Sequence, residues 1–204
     1  MSLIALLKRI PVDFGMENLK YTTKGKEIAL AFVGQGSAGA TLLDVGCRDG
    51  YFSRLFEKRG FTVTSIDIEC KWDKCSVVDA NKPLPYPDNS FDRIWCSEVI
   101  EHLIDPAKTI AEFRRVLKPG GIAAITTPNS TFWLYSVLRL FGKTPKDVQN
   151  KTHIHFFGKS DLQPLSPADS MIYGFFPYLG PRFRISRGVG LLSPTFVFAI
   201  RKQA

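Results

Sequence analysis

From position 41 onward, short apolar runs alternate with longer stretches in which apolar residues recur every three or four positions. That is the pattern of buried parallel strands joined by crossover helices. Thr41 to Val45 (TLLDV) reads as a first buried strand, and Tyr51 to Lys58 as an amphipathic helix ending at Gly60. Phe61 to Ile66 (FTVTSI) and Ser76 to Val78 read as the second and third strands. A turn-rich stretch with three prolines, Asn81 to Ser90, leads into a fourth strand, Phe91 to Ser97 (FDRIWCS). Asp105 is a candidate N-cap with Pro106 at the first helical position; Ile110, Phe113, Val116 and Leu117 then share one helical face. Pro119-Gly120-Gly121 stops that helix, and Ile122 to Thr126 is a fifth strand.

The rhythm changes on either side. Tyr21 to Phe32 has a weak helical period and Gly34 to Gly39 reads as a linker, so residues 1 to 40 are expected to cap the fold with a helix. After the fifth strand come an aromatic, basic helix over Phe132 to Phe141 and a loop through His153 and His155. A proline- and glycine-rich region, Gln163 to Pro181, precedes a closing strand, Thr195 to Arg201 (TFVFAIR). The 204 residues are enough for one sizeable core and too few for two ordinary domains. The expectation is one domain over 1 to 204, divided at residue 127 or 128 into a ligand-binding half and an acceptor-side half.

Composition adds three constraints. No apolar stretch approaches the roughly 20 residues needed to cross a bilayer, and the N-terminus lacks a secretory pattern, so the expected location is the cytoplasm. Cys47, Cys70, Cys75 and Cys96 match no paired zinc-ligand spacing and are expected to be reduced. The net charge of +8 is unevenly spread: residues 126 to 204 carry ten basic and three acidic groups, an excess of +7. A positive face of this kind attracts anionic surfaces.

The sharpest local feature is Leu42-Leu43-Asp44-Val45-Gly46-Cys47-Arg48-Asp49-Gly50, a buried strand entering a glycine-containing turn and then a helix. Such a turn lets a ligand approach the backbone at the carboxyl end of the first strand. Only Gly46 and Gly50 are present, so the three-glycine spacing that seats a pyrophosphate is missing. A nicotinamide dehydrogenase is disfavoured, and Asp44 at the strand end suits a ligand with a cationic group.

Further residues follow in order: Asp67 closing the second strand, Asp79-Ala80 after the third, Ser97-Glu98-Val99-Ile100-Glu101-His102 after the fourth, and Leu117-Lys118-Pro119-Gly120-Gly121 before the fifth. Over roughly residues 40 to 160 the chain resembles the class I S-adenosylmethionine-dependent methyltransferases, in the type 11 group typified by ubiquinone-biosynthesis O-methyltransferases. Arg48 departs from the family pattern, standing where it has its middle glycine. The resemblance implies a Rossmann-like, doubly wound α/β sheet of seven mostly parallel strands, the last antiparallel. It places S-adenosyl-L-methionine on Asp44, Gly46, Cys47, Arg48 and Gly50 of the first turn. The remaining contacts would come from Asp67 and Ile68, from Asp79 and Ala80, and from Ser97 and Glu98. Asp67 would accept from both ribose hydroxyls and Asp79 from the adenine amino group.

Methyl transfer from a sulfonium needs alignment and exclusion of water more than an elaborate catalytic group. For a hydroxyl acceptor a base helps, and His102, His153 and His155 are the candidates. Glu98, Glu101 and His102 can share the face of one helical turn. With His153 they resemble the divalent-metal set of ubiquinone-type and small-RNA 3′-end methyltransferases, although a metal-free cluster is the favoured reading. The expected acceptor is a small or lipidic molecule methylated on oxygen. The apolar Phe132 to Phe141 segment would lid its pocket, rest on an anionic membrane or pack into the core. The alternatives are an RNA 2′-O-methyltransferase, which needs Arg182, Arg184 and Arg187 at the site's mouth, and a noncatalytic cofactor-binding module, suggested by Arg48. Nucleic acid is the less favoured partner, and the sequence leaves the oligomeric state open.

Overall fold

The computed structural model describes residues 23–166, 171–178 and 181–203. The first described helix, α1 (Lys24–Val33), starts where the Thr23 hydroxyl accepts from the Lys26 N–H at 3.3 Å. It occupies the described part of the expected N-terminal cap; residues 1 to 22 lie outside the described residues. Five elements follow: β1 (Thr41–Val45), α2 (Tyr51–Lys58), β2 (Thr62–Asp67), β3 (Cys75–Val77) and β4 (Phe91–Ser97), with loops rather than helices joining the last three. A single 3-10 turn (Ile100–His102) leads to α3 (Pro106–Val116), capped by the Asp105 carboxylate accepting from Lys108 N–H, and then to the long β5 (Leu117–Pro128). Beyond it lie α4 (Trp133–Arg139), the short helices α5 (Pro145–Val148) and α6 (Lys159–Leu162), β6 (Gly174–Phe176), β7 (Phe183–Ile185), α7 (Val189–Leu192) and β8 (Thr195–Arg201).

The sheet runs β3-β2-β1-β4-β5-β8, all parallel except β8, which pairs antiparallel with β5. This is the expected Rossmann-like architecture, with six strands rather than seven in the sheet among the described residues. The missing strand is β6: Tyr173 makes one antiparallel bridge with Val197, after which the chain leaves the sheet to pair with β7 as a separate two-stranded ribbon. Pro177 follows β6 directly and has no N–H to extend the ladder. A second correction concerns β5, which begins at Leu117 rather than Ile122. The Pro119-Gly120-Gly121 run lies within the strand, with Gly120 at φ 76°, across an irregular register between Phe91 and Arg93.

Strand alternation builds two apolar layers. Leu43, Val45, Ile94 and Cys96 face the layer of Phe113 and Phe198, while Leu42 and Trp95 face α1 and α2 through Ile28, Val33 and Phe56. Gly25 lets α1 lie close against β8, because a Cβ there would stand 3.0 Å from Thr195 Cγ2. The chain leaves β1 toward β2 and β3 and returns on the other side to β4, so the sheet order reverses between β1 and β4. A crevice opens at the carboxyl ends of parallel strands at such a reversal.

A third correction concerns the cysteines. Cys70 and Cys75 form a disulfide in the β2–β3 loop, which brings their Cα atoms to 5.6 Å. Cys47 and Cys96 remain buried free thiols. Among the described residues no helix is long and apolar enough to cross a membrane.

Candidate active site

The crevice forms because the chain after β1 turns sharply. Gly46, Arg48 and Gly50 all have positive φ, at 77°, 49° and 72°, and Gly50 caps α2. Arg48 therefore adopts the left-handed conformation that a glycine would take more readily. Gly46 tolerates no larger residue, since a Cβ there would stand 2.4 Å from Val99 Cγ2. The turn is tied to β2 by the Gly46 and Cys47 N–H groups, which donate to the Ile66 carbonyl at 2.8 and 3.1 Å.

Two adjoining cavities of about 310 and 120 Å³ occupy the crevice and share Gly46, Asp67, Ile68, Val99 and His102. The larger also contacts Cys47, Arg48, Ser97 and Glu98, and the smaller contacts Asp79 and Ala80. Of the residues assigned to the cofactor from sequence, only Asp44 and Gly50 stand off the cavity walls. Asp67 is held rigidly at the junction of the two cavities. Each of its oxygens accepts one backbone N–H, from Arg48 at 2.8 Å and Glu69 at 3.0 Å, which fixes the carboxylate and leaves a further lone pair on each. Asp79 accepts from the N–H and the side-chain amide of Asn81, and these bonds hold its carboxyl below the usual range.

Asp44 does different work from that expected of it. It is buried behind the turn, where Ser53 Oγ donates to it at 2.6 Å and Ser65 Oγ donates to Ser53 at 2.8 Å. Burial, reinforced by the nearby Asp67 charge, pushes it up to about 7 against the lowering effect of the Ser53 bond. Its role is to pin α2 to β1 and so hold the turn in place.

On the acceptor side the expected face of Glu98, Glu101 and His102 is not built as one helical turn. Glu98 has φ 57° and lies outside the 3-10 turn, accepting from Thr126 Oγ1 at 2.9 Å beside the cavity. The convergent set is Glu101, His102 and His153, whose ligand atoms lie within 4.8 Å of one another. His155 is excluded: its Nε2–H donates to the Leu103 carbonyl at 2.9 Å and its ring stacks on Phe157. Carbonyl acceptors orient both remaining imidazoles. His102 Nδ1–H donates to Thr152 O at 3.1 Å and His153 Nδ1–H to Gln149 Oε1 at 3.2 Å, so both Nε2 atoms present a lone pair.

Glu101 is 1% exposed, with Oε2 accepting from Thr127 Oγ1 at 3.0 Å and Oε1 carrying no hydrogen bond. Burial, with the Glu98 charge adding to it, raises Glu101 well above the usual carboxyl range. Burial and the neighbouring His102 lower His153 to about 4. The 3.9 Å approach of His153 Nε2 to Glu101 Oε1 is therefore not an ion pair at neutral pH. A buried orphan carboxylate oxygen flanked by two pre-oriented imidazole lone pairs fits a divalent transition ion. Sequence reasoning missed several wall residues, among them Lys26, Tyr51, Phe52, Trp95 and Asn150 of the larger cavity. Lys26 and Asn150 come from elements on opposite sides of the motifs, with no local signal of their own.

Comparison with known proteins agrees with this geometry. The profile of the methyltransferase-domain family matches residues 20–165. A 2-methyl-6-phytyl-1,4-hydroquinone methyltransferase of Synechocystis is 36% identical over 122 residues, covering 50% of this chain and 38% of that protein. A ubiquinone biosynthesis O-methyltransferase of Idiomarina loihiensis is 27% identical over 155 residues, covering 67% and 63%. The chain thus spans roughly 40 to 60% of the length of these curated relatives. The crystal structure of an S-adenosylmethionine-dependent methyltransferase from Archaeoglobus fulgidus superposes with a TM-score of 0.61 over 90% of this chain and 97% of that one, at 20% identity. By its family profile, its fold and its crevice, the chain belongs to the class I S-adenosylmethionine-dependent methyltransferases.

Proposed function

We propose that the chain transfers the methyl group of S-adenosylmethionine to an oxygen of a small or lipidic acceptor, with His102 taking the acceptor's proton. The observation that carries this reading is the placement of His102, which lines both cavities and holds Nδ1–H on a carbonyl, leaving Nε2 to accept. Asp67 would bind the ribose hydroxyls and Asp79 with Ala80 the adenine edge, which directs the methionine arm toward Glu98 and His102. Tyr135 is held by Gln149, which also orients His153, so α4 is tied to the Glu101–His102–His153 cluster. The names of two relatives, a prenylated-hydroquinone methyltransferase and a ubiquinone-biosynthesis O-methyltransferase, support a lipidic acceptor.

The test is transfer of labelled methyl from S-adenosylmethionine to a panel of prenylated and unprenylated catechols and hydroquinones. His102→Ala should lower kcat by roughly 10² to 10⁴ while calorimetry finds S-adenosylhomocysteine affinity unchanged. Undiminished turnover in the variant would remove His102 from the reaction.

A second reading is favoured by the unpartnered Oε1 of Glu101: Glu101, His102 and His153 would hold a divalent ion of the manganese, iron or zinc kind. Such an ion supplies a Lewis acid that lowers the pKa of an acceptor hydroxyl. Thr127, Thr152 and Gln149 would keep its ligands aimed. A chelator that leaves turnover intact would reject it. The RNA reading loses support, because Arg182, Arg184 and Arg187 are absent from both cavity walls.

A further inference from the structure

The exposed apolar surface is concentrated in the last third of the chain. Of twelve exposed large apolar side chains among the described residues, eight lie at or beyond Val137. Three of them, Val137, Leu140 and Phe141, share one face with the half-buried Trp133. Trp133, Val137, Leu140 and Phe141 fall at i, i+4, i+7 and i+8 on α4 and its C-terminal turn, the spacing of a single helical stripe. Leu140 is 84% and Phe141 66% exposed, while Leu134, Tyr135 and Leu138 on the opposite side are buried.

The stripe continues onto the β6–β7 ribbon. Trp133 Nε1–H donates to Tyr178 Oη at 2.8 Å, the Tyr178 ring lies edge-on to Phe176 at 5.5 Å, and Phe176 pairs across the ribbon with Phe183. Both phenylalanines are exposed.

The charge in this region is complementary to an anionic surface. Residues 126 to 204 carry ten basic and three acidic groups. Two of the three acids are occupied at helix starts, Asp147 accepting from Thr144 N–H and Asp161 from Gly158 N–H. Lys143 and Lys146 directly follow the stripe and are exposed, and neither makes a salt bridge among the described residues. Apolar side chains rimmed by lysines suit the interface of an anionic bilayer, where the rings enter the acyl boundary and the amines meet phosphate. A nucleic-acid surface could stack a base on Phe141 but would leave the 84% exposed Leu140 without an apolar partner.

We propose that the face formed by α4, its C-terminal turn and the β6–β7 ribbon docks on an anionic phospholipid bilayer. The inner side of α4 reaches the Glu101–His102–His153 cluster through Tyr135 and Gln149, so docking sets the acceptor side against the membrane. This deepens the reading of a lipidic acceptor and rests on it for its purpose.

The experiment is co-flotation of the full chain with vesicles of phosphatidylcholine alone and with added phosphatidylglycerol, at low and high salt. Binding is expected only to the anionic vesicles and should weaken with salt. A variant carrying Lys143→Gln and Lys146→Gln should lose about fivefold in partition per charge removed. Leu140→Ser with Phe141→Ser should lose at least roughly tenfold; both side chains are exposed, and unchanged S-adenosylhomocysteine binding verifies the fold. Absence of wild-type binding to anionic vesicles overturns the proposal, as does full binding by the serine variant. So does tighter binding to single-stranded RNA than to vesicles, or a serine variant that only converts a dimer to a monomer. Flotation uses no methyl transfer, so its failure leaves the enzymatic reading standing, and a failure of lipid methylation leaves flotation unaffected.

Discussion

Arg48 and Glu101 each sit in an unfavourable state that the surrounding structure imposes. Arg48 holds φ 49° in a turn whose other positions at positive φ are glycines, a conformation costing a side-chain-bearing residue on the order of 1 kcal/mol. Arg48→Gly should therefore raise Tm by roughly 2 to 4 °C, with S-adenosylhomocysteine affinity kept, since the N–H that holds Asp67 remains. A large loss of affinity by calorimetry would show instead that the guanidinium touches the cofactor. Glu101 and His153 act in opposite senses on stability. His153, lowered from 6.5 to about 4, stays neutral while the unfolded chain protonates, so stability falls as pH drops through that window. Glu101, raised well above 4.5, keeps its proton while the unfolded chain ionises, so stability falls as pH rises from 4.5. Between 4.5 and 6.5 the two slopes oppose each other. Glu101→Gln keeps the bulk and removes one slope. Urea denaturation in the presence of a chelator should then show stability rising with pH across that interval by up to about 1.4 kcal/mol per unit more steeply than in the wild type. Parallel pH profiles would mean Glu101 is ionised in the folded protein.

At the scale of elements, the junction of β1 and α2 depends on a contact from outside its own motif. A Cβ at Gly50 would meet Trp72 Cδ2 at 2.3 Å, and φ there is 72°. Gly50→Ala should cost roughly 1 to 3 kcal/mol in a denaturation experiment, and Trp72→Ala in the same chain should recover the part due to the clash. If the double variant recovers nothing, backbone strain alone accounts for the loss. Trp72 marks the limit of what the sequence made legible. The strands from Thr41 to Val45 and from Phe91 to Ser97 were readable to the residue, because each carries a short apolar core, Leu42-Leu43 and Ile94-Trp95-Cys96, bounded by turn-forming residues. The turn after β1 was readable from Gly46 and Gly50, both of which hold positive φ. The β6–β7 ribbon was not, since a three-residue strand has no period and its departure from the sheet depends on Tyr173 meeting Val197. Likewise the Cys70–Cys75 bridge depends on how the loop folds back. His153 and His155 were equivalent as letters, and only the carbonyls of Leu103 and Gln149 decide which one joins the cluster.

For the whole molecule, the crevice is where separate parts of the chain meet: the ends of β1, β2 and β4, Lys26 from α1, and Asn150 from the loop after α5. A ligand filling it would contact both sides of the sheet reversal together with α1 and the loop after α5. Unfolding must break all of these contacts, so binding is linked to global stability by mass action rather than to one loop. At a ligand concentration one hundred times Kd the stabilisation is about 2.7 kcal/mol, which for a chain of this size raises Tm by roughly 5 to 10 °C. S-adenosylhomocysteine should produce that shift in differential scanning calorimetry. NAD should produce none, because the turn supplies Gly46 and Gly50 without the third glycine a pyrophosphate needs. If Asp67 accepts from the ribose diol as proposed, Asp67→Ala should reduce affinity by roughly 2 to 4 kcal/mol. At the same ligand concentration most of the Tm shift would then disappear. The variant also loses the two backbone bonds that Asp67 accepts, so its ligand-free Tm supplies the baseline against which the shift is read. An S-adenosylhomocysteine shift of undiminished size in a folded Asp67→Ala protein would place the ribose elsewhere and detach the family's cofactor pose from this crevice.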